Sequence, residues 1–281
     1  MSSYTIRLMR REEVDLVIAW AASEGWNPAM HDAECFFAAD PTGFLVGELD
    51  GEAIATISAV KYGDSFGFLG FYIVKPEYRN QGYGIQIWNE ALRRLQGRTI
   101  GLDGVVAQQA NYQRSGFQFA HRNIRYGGSG GGTMPTDSGL VALSEIPFDE
   151  LVSYDRAFFP DDRASFLQCW IRQPQHVAIA FRENDRLAGY GVLRKCQTGY
   201  KMGGLFADSA AIAEILFLAL KAQTENAAPI FLDVPEVNRA AIELAENYQM
   251  SPVFETARMY LGKAPEFPRD RWFGVKTFEL G

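Results

Sequence analysis

The chain has 281 residues, of which 47% are hydrophobic and 22% are charged, and its formal net charge is −7. This length fits one large domain or two of ordinary size, with enough apolar material for a core. The acidic balance argues against nucleic-acid binding and no apolar stretch approaches the length of a spanning helix, so we expect no nucleic-acid partner and no membrane partner.

The cysteines and histidines of the chain are few and widely spaced. Cys35, Cys169 and Cys196 form no CxxC pair, and the histidines show no metal-ligand spacing. This pattern argues against a disulfide framework and predicts no metal site. Unpaired cysteines suit a reducing compartment, and the first residues do not combine a basic segment with an apolar core. We therefore expect a cytoplasmic protein without a signal peptide.

The first 126 residues alternate between strand patterns and helix patterns. Short β-branched or alternating apolar runs predict strands, and apolar residues with a 3.6-residue period predict helices. In chain order, the predicted elements are a strand at YTIRLM, a helix at EEVDLVIAWAASEG, strands at FLVGEL, EAIATISAV and FGFLGFYIV, a helix from Gly84 to about Leu95, a strand at TIGLDGV, a helical segment at QQANYQRSGF and a strand near FAHRNIRY.

The stretch YGGSGGGTMPTDSG, from Tyr126 to Gly139, is typical of a flexible connection. After it the order of elements recurs, which predicts an internal duplication at the level of the fold. We place the first domain at residues 1–126, a glycine-rich linker at 127–138 and the second domain at 139–281. The predicted elements of the second domain are GLVALSEI, FDELVSYDRAFF, HVAIAFR, LAGYGVLRK, SAAIAEILFLALKAQ, PIFLDV, EVNRAAIELAENYQM and ARMYLG.

The loop RNQGYG, between a predicted strand and a predicted helix, has the chemistry of an anion site. The first amides of a helix lack intrahelical partners and carry partial positive charge. Gly82 and Gly84 would let a phosphate approach closely, and Arg79 can add a charge-assisted hydrogen bond. The dinucleotide-binding pattern GxGxxG fails at Ile87, and the GK[ST] of a P-loop does not occur. A surface turn without a ligand is the alternative.

The pattern R-x-x-G-x-G after a strand-ending proline resembles the acyl-CoA-binding motif of the GNAT superfamily of N-acetyltransferases. The resemblance implies an α/β (α+β) fold with two tandem GNAT-like lobes, each a mixed, largely antiparallel sheet flanked by helices. It also implies that acetyl-CoA is the co-substrate. The residues that would hold its pyrophosphate are Arg79, Asn80, Gln81, Gly82, Tyr83 and Gly84, and those that would bind the pantetheine through their backbone are Tyr72, Ile73 and Val74.

A second mark of the same family lies in NYQRSGF, which resembles its Y-x-x-x-G-F signature. By this resemblance Tyr112 donates a proton to the leaving CoA thiolate, and a phenol is protonated at neutral pH. The alternative is a half-buried aromatic residue of a helix. Many members carry an asparagine seven residues before the tyrosine, where this chain has Val105. Gln108, Gln109 or Asn111 could replace it, and the sequence does not choose among them.

The second half resembles the family more weakly, through the helix NRAAIELAENYQM. It lacks R-x-x-G-x-G and places Asp208 near a helix start, where a carboxylate would repel a pyrophosphate. We therefore expect only the first domain to bind acyl-CoA. The whole arrangement resembles tandem two-lobed bacterial acetyltransferases of the YitH type.

Aminolysis of a thioester needs a base that removes the ammonium proton. Asp103 is the first candidate by position, with a turn-forming aspartate as the alternative. Glu24 is the second, and it lies with Trp26 and Asn27 in a segment where an acceptor amine could bind; capping and packing is the other interpretation of this segment.

The sequence predicts an acetyl-CoA-dependent N-acetyltransferase that moves an acetyl group directly to a primary amine in a ternary complex. The alternative is a non-catalytic acyl-CoA sensor or binding module. The amine could be a small molecule or part of a peptide. Because a fused pair of domains can replace a dimer contact, we expect a monomer.

Overall fold

The computed structural model describes residues 3–281, which form two lobes with the same order of elements. The first lobe consists of β1 (Tyr4–Leu8), α1 (Val14–Ser23), α2 (Asp32–Ala39), β2 (Phe44–Leu49), β3 (Glu52–Tyr62), β4 (Phe66–Val74), α3 (Tyr83–Arg94), β5 (Thr99–Val105), α4 (Gln109–Arg114) and β6 (Gln118–Ser129). The second lobe consists of β7 (Leu140–Ala142), α5 (Phe148–Asp155), α6 (Ala164–Trp170), β8 (His176–Glu183), β9 (Arg186–Lys195), β10 (Tyr200–Ala207), α7 (Ala210–Lys221), β11 (Pro229–Pro235), α8 (Arg239–Asn247), β12 (Ser251–Leu261) and the additional β13 (Trp272–Gly274). The predicted duplication of element order is therefore present.

All thirteen strands belong to one sheet, in the order β1-β2-β3-β4-β5-β12-β6-β11-β10-β9-β8-β7, with β13 paired to β10. The pairs β4–β5 and β10–β11 are parallel, and the other pairs are antiparallel. Strand β12 of the second lobe lies between β5 and β6 of the first, so each lobe completes its sheet with a strand of the other. The predicted mixed α/β class is confirmed, and the exchange of strands joins the two predicted sheets.

The predicted linker is ordered where it begins. Gly127, Gly128 and Ser129 are the last residues of β6 and pair with β11. A Cβ at Gly128 would lie 2.7 Å from Met250 Cγ, so the glycine allows close packing of the lobes. The amide of Gly130 then donates to the carbonyl of Ala228. The prediction of a flexible connection starting at residue 127 is corrected by this pairing.

An aromatic core lies between the lobes and fixes them together. The buried Phe36 of α2 stacks on Trp170 of α6 at 6.2 Å between ring centroids, and it also contacts Phe71 of β4. Burying one such ring contributes roughly 1.5–3 kcal/mol. Each lobe adds its own core beneath α3 or α7. Among residues 3–281, no helix is both long and apolar enough to cross a bilayer.

A disulfide joins the two lobes, contrary to the expectation from cysteine spacing. Cys35 of α2 bonds to Cys169 of α6, with 5.1 Å between their Cα atoms and 134 residues between them in sequence. The pairing depends on the packing of α2 against α6, which spacing in the sequence does not reveal. Cys196 is free and buried. The cytoplasmic location stays a prediction, and this pair removes part of its support.

We expect Cys35→Ser to lower the free energy of unfolding by about 2–5 kcal/mol, because the crosslink closes a long loop in the unfolded chain. Urea unfolding of the wild type with and without reductant measures the same quantity. Reductant should destabilise the wild type and the Cys196→Ser variant, and it should not affect Cys35→Ser. Equal stability of the oxidised and reduced wild type would contradict the pairing.

Candidate active site

A cavity of about 640 Å³ opens where β4 and β5 separate. The two strands pair in parallel up to Leu69 and Leu102 and then diverge. We call the point where the two strands diverge the fork of the first lobe. Just beyond it, β4 bulges and Phe71 adopts a left-handed backbone with φ of 49°. The diverging edge of β4 therefore exposes backbone to the cavity instead of to a neighbouring strand. The predicted pantetheine-binding residues Tyr72, Ile73 and Val74 all line it.

The loop after β4 leaves the start of α3 open to an anion. Gly82 is the N-cap of α3 with φ of 85°, and no side chain in the described part of the chain caps this helix. Among residues 3–281, no heavy atom outside Gly82 and its two chain neighbours lies within 4 Å of the position that a Cβ on Gly82 would occupy. Arg79 and Asn80 lie on the same rim of the cavity, and Arg79 Nε donates to the carbonyl of Val74 at 2.8 Å. An unfilled space at an uncapped helix start fits a phosphate group.

The other residues of the motif serve the loop in different ways. A Cβ on Gly84 would lie 2.7 Å from Tyr72 Oη, so this glycine allows α3 to pack closely on β4. The side chain of Gln81 donates to the carbonyl of Glu77, and the ring of Tyr83 packs on Tyr4. The side chains of Gln81 and Tyr83 do not line the cavity, so only their backbone can contact a ligand there.

Tyr112 of α4 lines the cavity beside β5. Its ring stacks on Trp88 of α3 at 5.5 Å, and a Cβ on Gly104 would lie 2.1 Å from the tyrosine ring. Gly104 therefore makes room for the ring at the cavity wall. Burial raises the pKa of the Tyr112 phenol well above its ordinary value near 10. The group stays protonated at neutral pH, as a proton donor must.

Because the pKa of Tyr112 is raised, the pH profile of a turnover that uses its proton should not fall on the alkaline side. The neutral phenol is the active form, so the contribution is retained as pH rises from 7 to about 10. We expect kcat at saturating acceptor to show no fall in this window that depends on Tyr112. A descending limb near pH 9 that is absent from Tyr112→Phe would contradict the raised pKa.

Asp103 lines the cavity, but its carboxylate is held in an ion pair. Arg258 of β12 donates to both of its oxygens, at 2.8 and 2.5 Å, and Asn123 of β6 donates to Oδ1 at 2.8 Å. Both side chains of the pair are buried, at 4% exposure for Arg258 and 0% for Asp103. Burial raises the pKa of Asp103, and the contacts with Arg258 and Asn123 oppose that rise. A carboxylate held in this way is better suited to fixing the strands in place than to accepting a proton as a general base.

The segment after α1 divides between the cavity and the lobe interface. Glu24 and Trp26 line the cavity, and Glu24 pairs with Arg79 at 2.5 Å. Asn27 does not line it, because its amide exchanges two hydrogen bonds with the backbone of Thr198 in the second lobe. The predicted acceptor role of Asn27 is therefore corrected to a contact between lobes.

The fork of the second lobe is filled by the chain itself. Strands β10 and β11 pair in parallel up to Met202 and then diverge. Beyond this point β13 pairs with β10, and the backbone of Val275 bridges the gap by donating to Asp233 and accepting from Gly204. The start of α7 is capped by the hydroxyl of Ser209. Backbone and cap thus occupy the places that are open in the first lobe.

Four cavity residues come from the second half of the chain and were missed in the sequence. They belong to β12 and to residues 275–281, here called the tail: Phe254, Thr256, Phe278 and Glu279. No short motif marks them, and only the exchange of β12 brings them to β5. Among residues 3–281, no group of three histidine, cysteine or acidic side chains could hold a metal.

Family models match both lobes. Residues 10–117 match the Acetyltransferase (GNAT) family, and residues 151–274 match the Acetyltransferase (GNAT) domain. The chain belongs to the GNAT family of acyltransferases. Both lobes of this GNAT enzyme carry the family fold, and membership implies an acyl-CoA co-substrate. The tandem arrangement predicted from the sequence is confirmed.

The similarity of this GNAT enzyme to known proteins extends over nearly its full length. It is 28% identical to the holothin acyltransferase of a Pseudoalteromonas species, over 99% of this chain and 95% of the relative. A provisionally assigned acetyltransferase structure from Pyrococcus horikoshii is 25% identical, with a TM-score of 0.81 over 99% of this chain and 96% of that one. A tandem GNAT protein from the clavulanic acid pathway shares the fold at 12% identity, with a TM-score of 0.61 over 94% and 100% of the two chains.

Proposed function

We propose that this GNAT enzyme transfers an acetyl group from acetyl-CoA directly to a primary amine, in the cleft of its first lobe. The observation that carries the proposal is the contrast between the two forks. The first opens onto a cavity with an uncapped helix start at Gly82 and a protonated Tyr112, and the second is filled by β13.

The residues of the first cleft would bind different parts of acetyl-CoA according to their positions. The amides at the start of α3, with Arg79, would bind the pyrophosphate, and the free edge of β4 at Tyr72–Val74 would hold the pantetheine arm. These two ends place the thioester near the fork. There the amine nitrogen bonds to the carbonyl carbon, the carbon–sulfur bond breaks, and Tyr112 donates its proton to the thiolate.

The relative named as a holothin acyltransferase supports acyl transfer and makes holothin one compound for an acceptor panel. The panel should also contain alkylamines, arylamines, lysine and peptide N-termini. Thiol release from acetyl-CoA, matched by mass-spectrometric detection of the N-acetylated product, tests the proposal. We expect at least one amine to give equal amounts of thiol and product.

The second candidate function is a non-catalytic acyl-CoA sensor, which the ion-paired state of Asp103 favours. Tight acetyl-CoA binding with no product from any amine class would support the sensor and contradict the enzyme. Longer acyl-CoA donors should be compared in the same assay. A higher kcat/KM with a longer donor would overturn the assignment of acetyl as the transferred group.

We also propose that the chain acts as a monomer. The exchange of β6 and β12 already supplies a sheet contact between two GNAT folds within one chain. Light scattering after size-exclusion chromatography should give one chain mass, and a stable dimer mass would contradict the proposal.

A further inference from the structure

The tail carries the end of the chain from the second lobe to the fork of the first. The carbonyl oxygen of Glu279 would lie 2.1 Å from a Cβ on Gly70, so only glycine allows this approach of tail to β4. Tyr62 Oη donates to the carbonyl of Leu280 at 3.0 Å, and Arg163 donates to Gly281 at 3.2 Å. These contacts from β3 and from the α6 region fix Glu279 beside the point where β4 and β5 separate.

Glu279 is the cavity carboxylate that forms no ion pair among residues 3–281. Asp103 pairs with Arg258, and Glu24 pairs with Arg79. The Glu279 carboxylate accepts a hydrogen bond from the Thr277 hydroxyl and forms no ion pair within the described chain. It is 6% exposed and lines the cavity. A nearly buried carboxylate without an ion-pair partner favours a cation that arrives with a ligand.

Two buried basic groups, Arg125 and Lys201, interact with the charge of Glu279 but make their direct contacts elsewhere. Arg125 of β6 forms a bidentate pair with Asp233, at 2.6 and 2.8 Å. Lys201 of β10 reaches the carbonyl of Trp26 at 3.5 Å, and burial lowers its pKa. Neither side chain forms an ion pair with Glu279 in the part of the chain that the structure describes. The Glu279 charge favours the charged forms of both groups, so what is left for the acceptor is the direct ion-pair contact with this carboxylate.

Aromatic rings line the same cavity as this carboxylate. The rings of Phe254 and Phe278 lie 6.3 Å apart, and Trp26 lines the same cavity. The Arg125 guanidinium, which is buried with Asp233, lies 5.6 Å from the ring centre of Phe254 and 5.0 Å from that of Phe278. Aromatic rings in the same cavity as a carboxylate without an ion-pair partner fit a cationic amine on an aromatic or apolar body.

We propose that Glu279 binds the ammonium group of the acceptor and takes its proton before the attack. This inference rests on the proposed acetyl transfer and names its acceptor class, a primary amine that is protonated in solution and attached to an aromatic or apolar group. Glu279 accepts one N–H proton, and the neutral nitrogen forms the amide bond. Tyr112 protonates the departing thiolate, the second N–H proton restores the phenol, and the proton on Glu279 passes to water.

Glu279→Gln, compared with Glu266→Gln in an exposed segment, tests the proposal in the full-length enzyme. Phenethylamine and aniline are the probes, because both carry a phenyl ring but only phenethylamine is protonated at neutral pH. We expect Glu279→Gln to lower kcat/KM for phenethylamine about 100-fold and to change that for aniline much less. Acetyl-CoA affinity and thermal stability should match those of Glu266→Gln.

The outcomes separate this inference from the proposed function. Equal losses for both amines, or no loss, would overturn the role of Glu279 as a base. If acetyl-CoA binds but neither amine is acetylated, calorimetry with phenethylamine and CoA-loaded protein decides. Binding that weakens at least tenfold in Glu279→Gln supports the ammonium site although transfer has failed, whereas unchanged binding, or none in the wild type, overturns it. If acetyl-CoA does not bind, the proposed function is contradicted, and the same calorimetry with phenethylamine and the free protein decides for or against the ammonium site.

Discussion

Gly82→Glu is expected to weaken acetyl-CoA binding at least about 100-fold, which corresponds to about 2.7 kcal/mol. The space beside Gly82 is empty, and it lies at an uncapped helix start where we place the pyrophosphate. A carboxylate there would occupy the space, interact with the free amides and repel the phosphates. Isothermal calorimetry with acetyl-CoA measures the loss.

Gly97→Glu is the matched control for this change. Gly97 follows the other end of α3 and has φ of 86°, and within the described chain its Cβ position likewise has no heavy atom within 4 Å beyond its own chain neighbours. Both substitutions therefore impose the same left-handed strain and add the same charge. We expect Gly97→Glu to keep acetyl-CoA affinity within about twofold. Equal losses in the two variants would assign the effect to strain or charge in general, and unchanged affinity in Gly82→Glu would remove the phosphate assignment.

Tyr112→Phe is expected to lower kcat about 100-fold while acetyl-CoA affinity stays constant. The ring would keep its stacking on Trp88 and its place against Gly104, because only the hydroxyl is removed. The reaction then loses its donor to the thiolate but keeps its binding surface. Steady-state thiol release with the most active amine of the panel gives kcat, and calorimetry gives the affinity.

Tyr126→Phe is the control for Tyr112→Phe, since it removes the hydroxyl of a buried tyrosine outside the cavity. It should leave kcat unchanged. A Tyr112→Phe variant with full kcat would show that the thiolate leaves without this proton. A matching loss of acetyl-CoA affinity would indicate a role in binding instead.

The predictable part of the site is the part made by local sequence. The strand before Arg79, the loop to Gly84 and the helix with Tyr112 all lie within residues 66–114, and each has a motif or a period that the sequence displays. Even here, the structure gives different roles to two glycines that the motif does not distinguish. Gly82 leaves space for a ligand, and Gly84 makes space for Tyr72.

The unpredictable part depends on contacts between distant segments. Asp103 has the position of a base, but Arg258, which lies 155 residues away, takes both of its oxygens. Asn27 contacts Thr198 across the lobe interface, and Cys35 meets Cys169 for the same reason. Periodicity and spacing depend on residues that are close in sequence. They therefore do not predict the strand exchange that brings β12 and the tail to the first lobe.

The two forks differ in structure although both lobes have the same fold. In the first lobe, the edge of β4 is free and α3 has no side-chain cap. In the second, Val275 bonds to both diverging strands, Ser209 caps α7, and Asp208 pairs with Arg271. The segment that closes the second fork continues as the tail, which adds Glu279 to the first. Closing one cleft and completing the other are thus performed by the same stretch of chain.

A crystal structure of the full chain with acetyl-CoA tests the central claim most directly. We predict one cofactor per chain, with its phosphates on the amides at the start of α3, its pantetheine along Tyr72–Val74, and its thioester at the fork near Tyr112. Strand β13 should keep its pairing with β10. Acetyl-CoA bound in the second lobe, or bound away from the first fork, would contradict the claim.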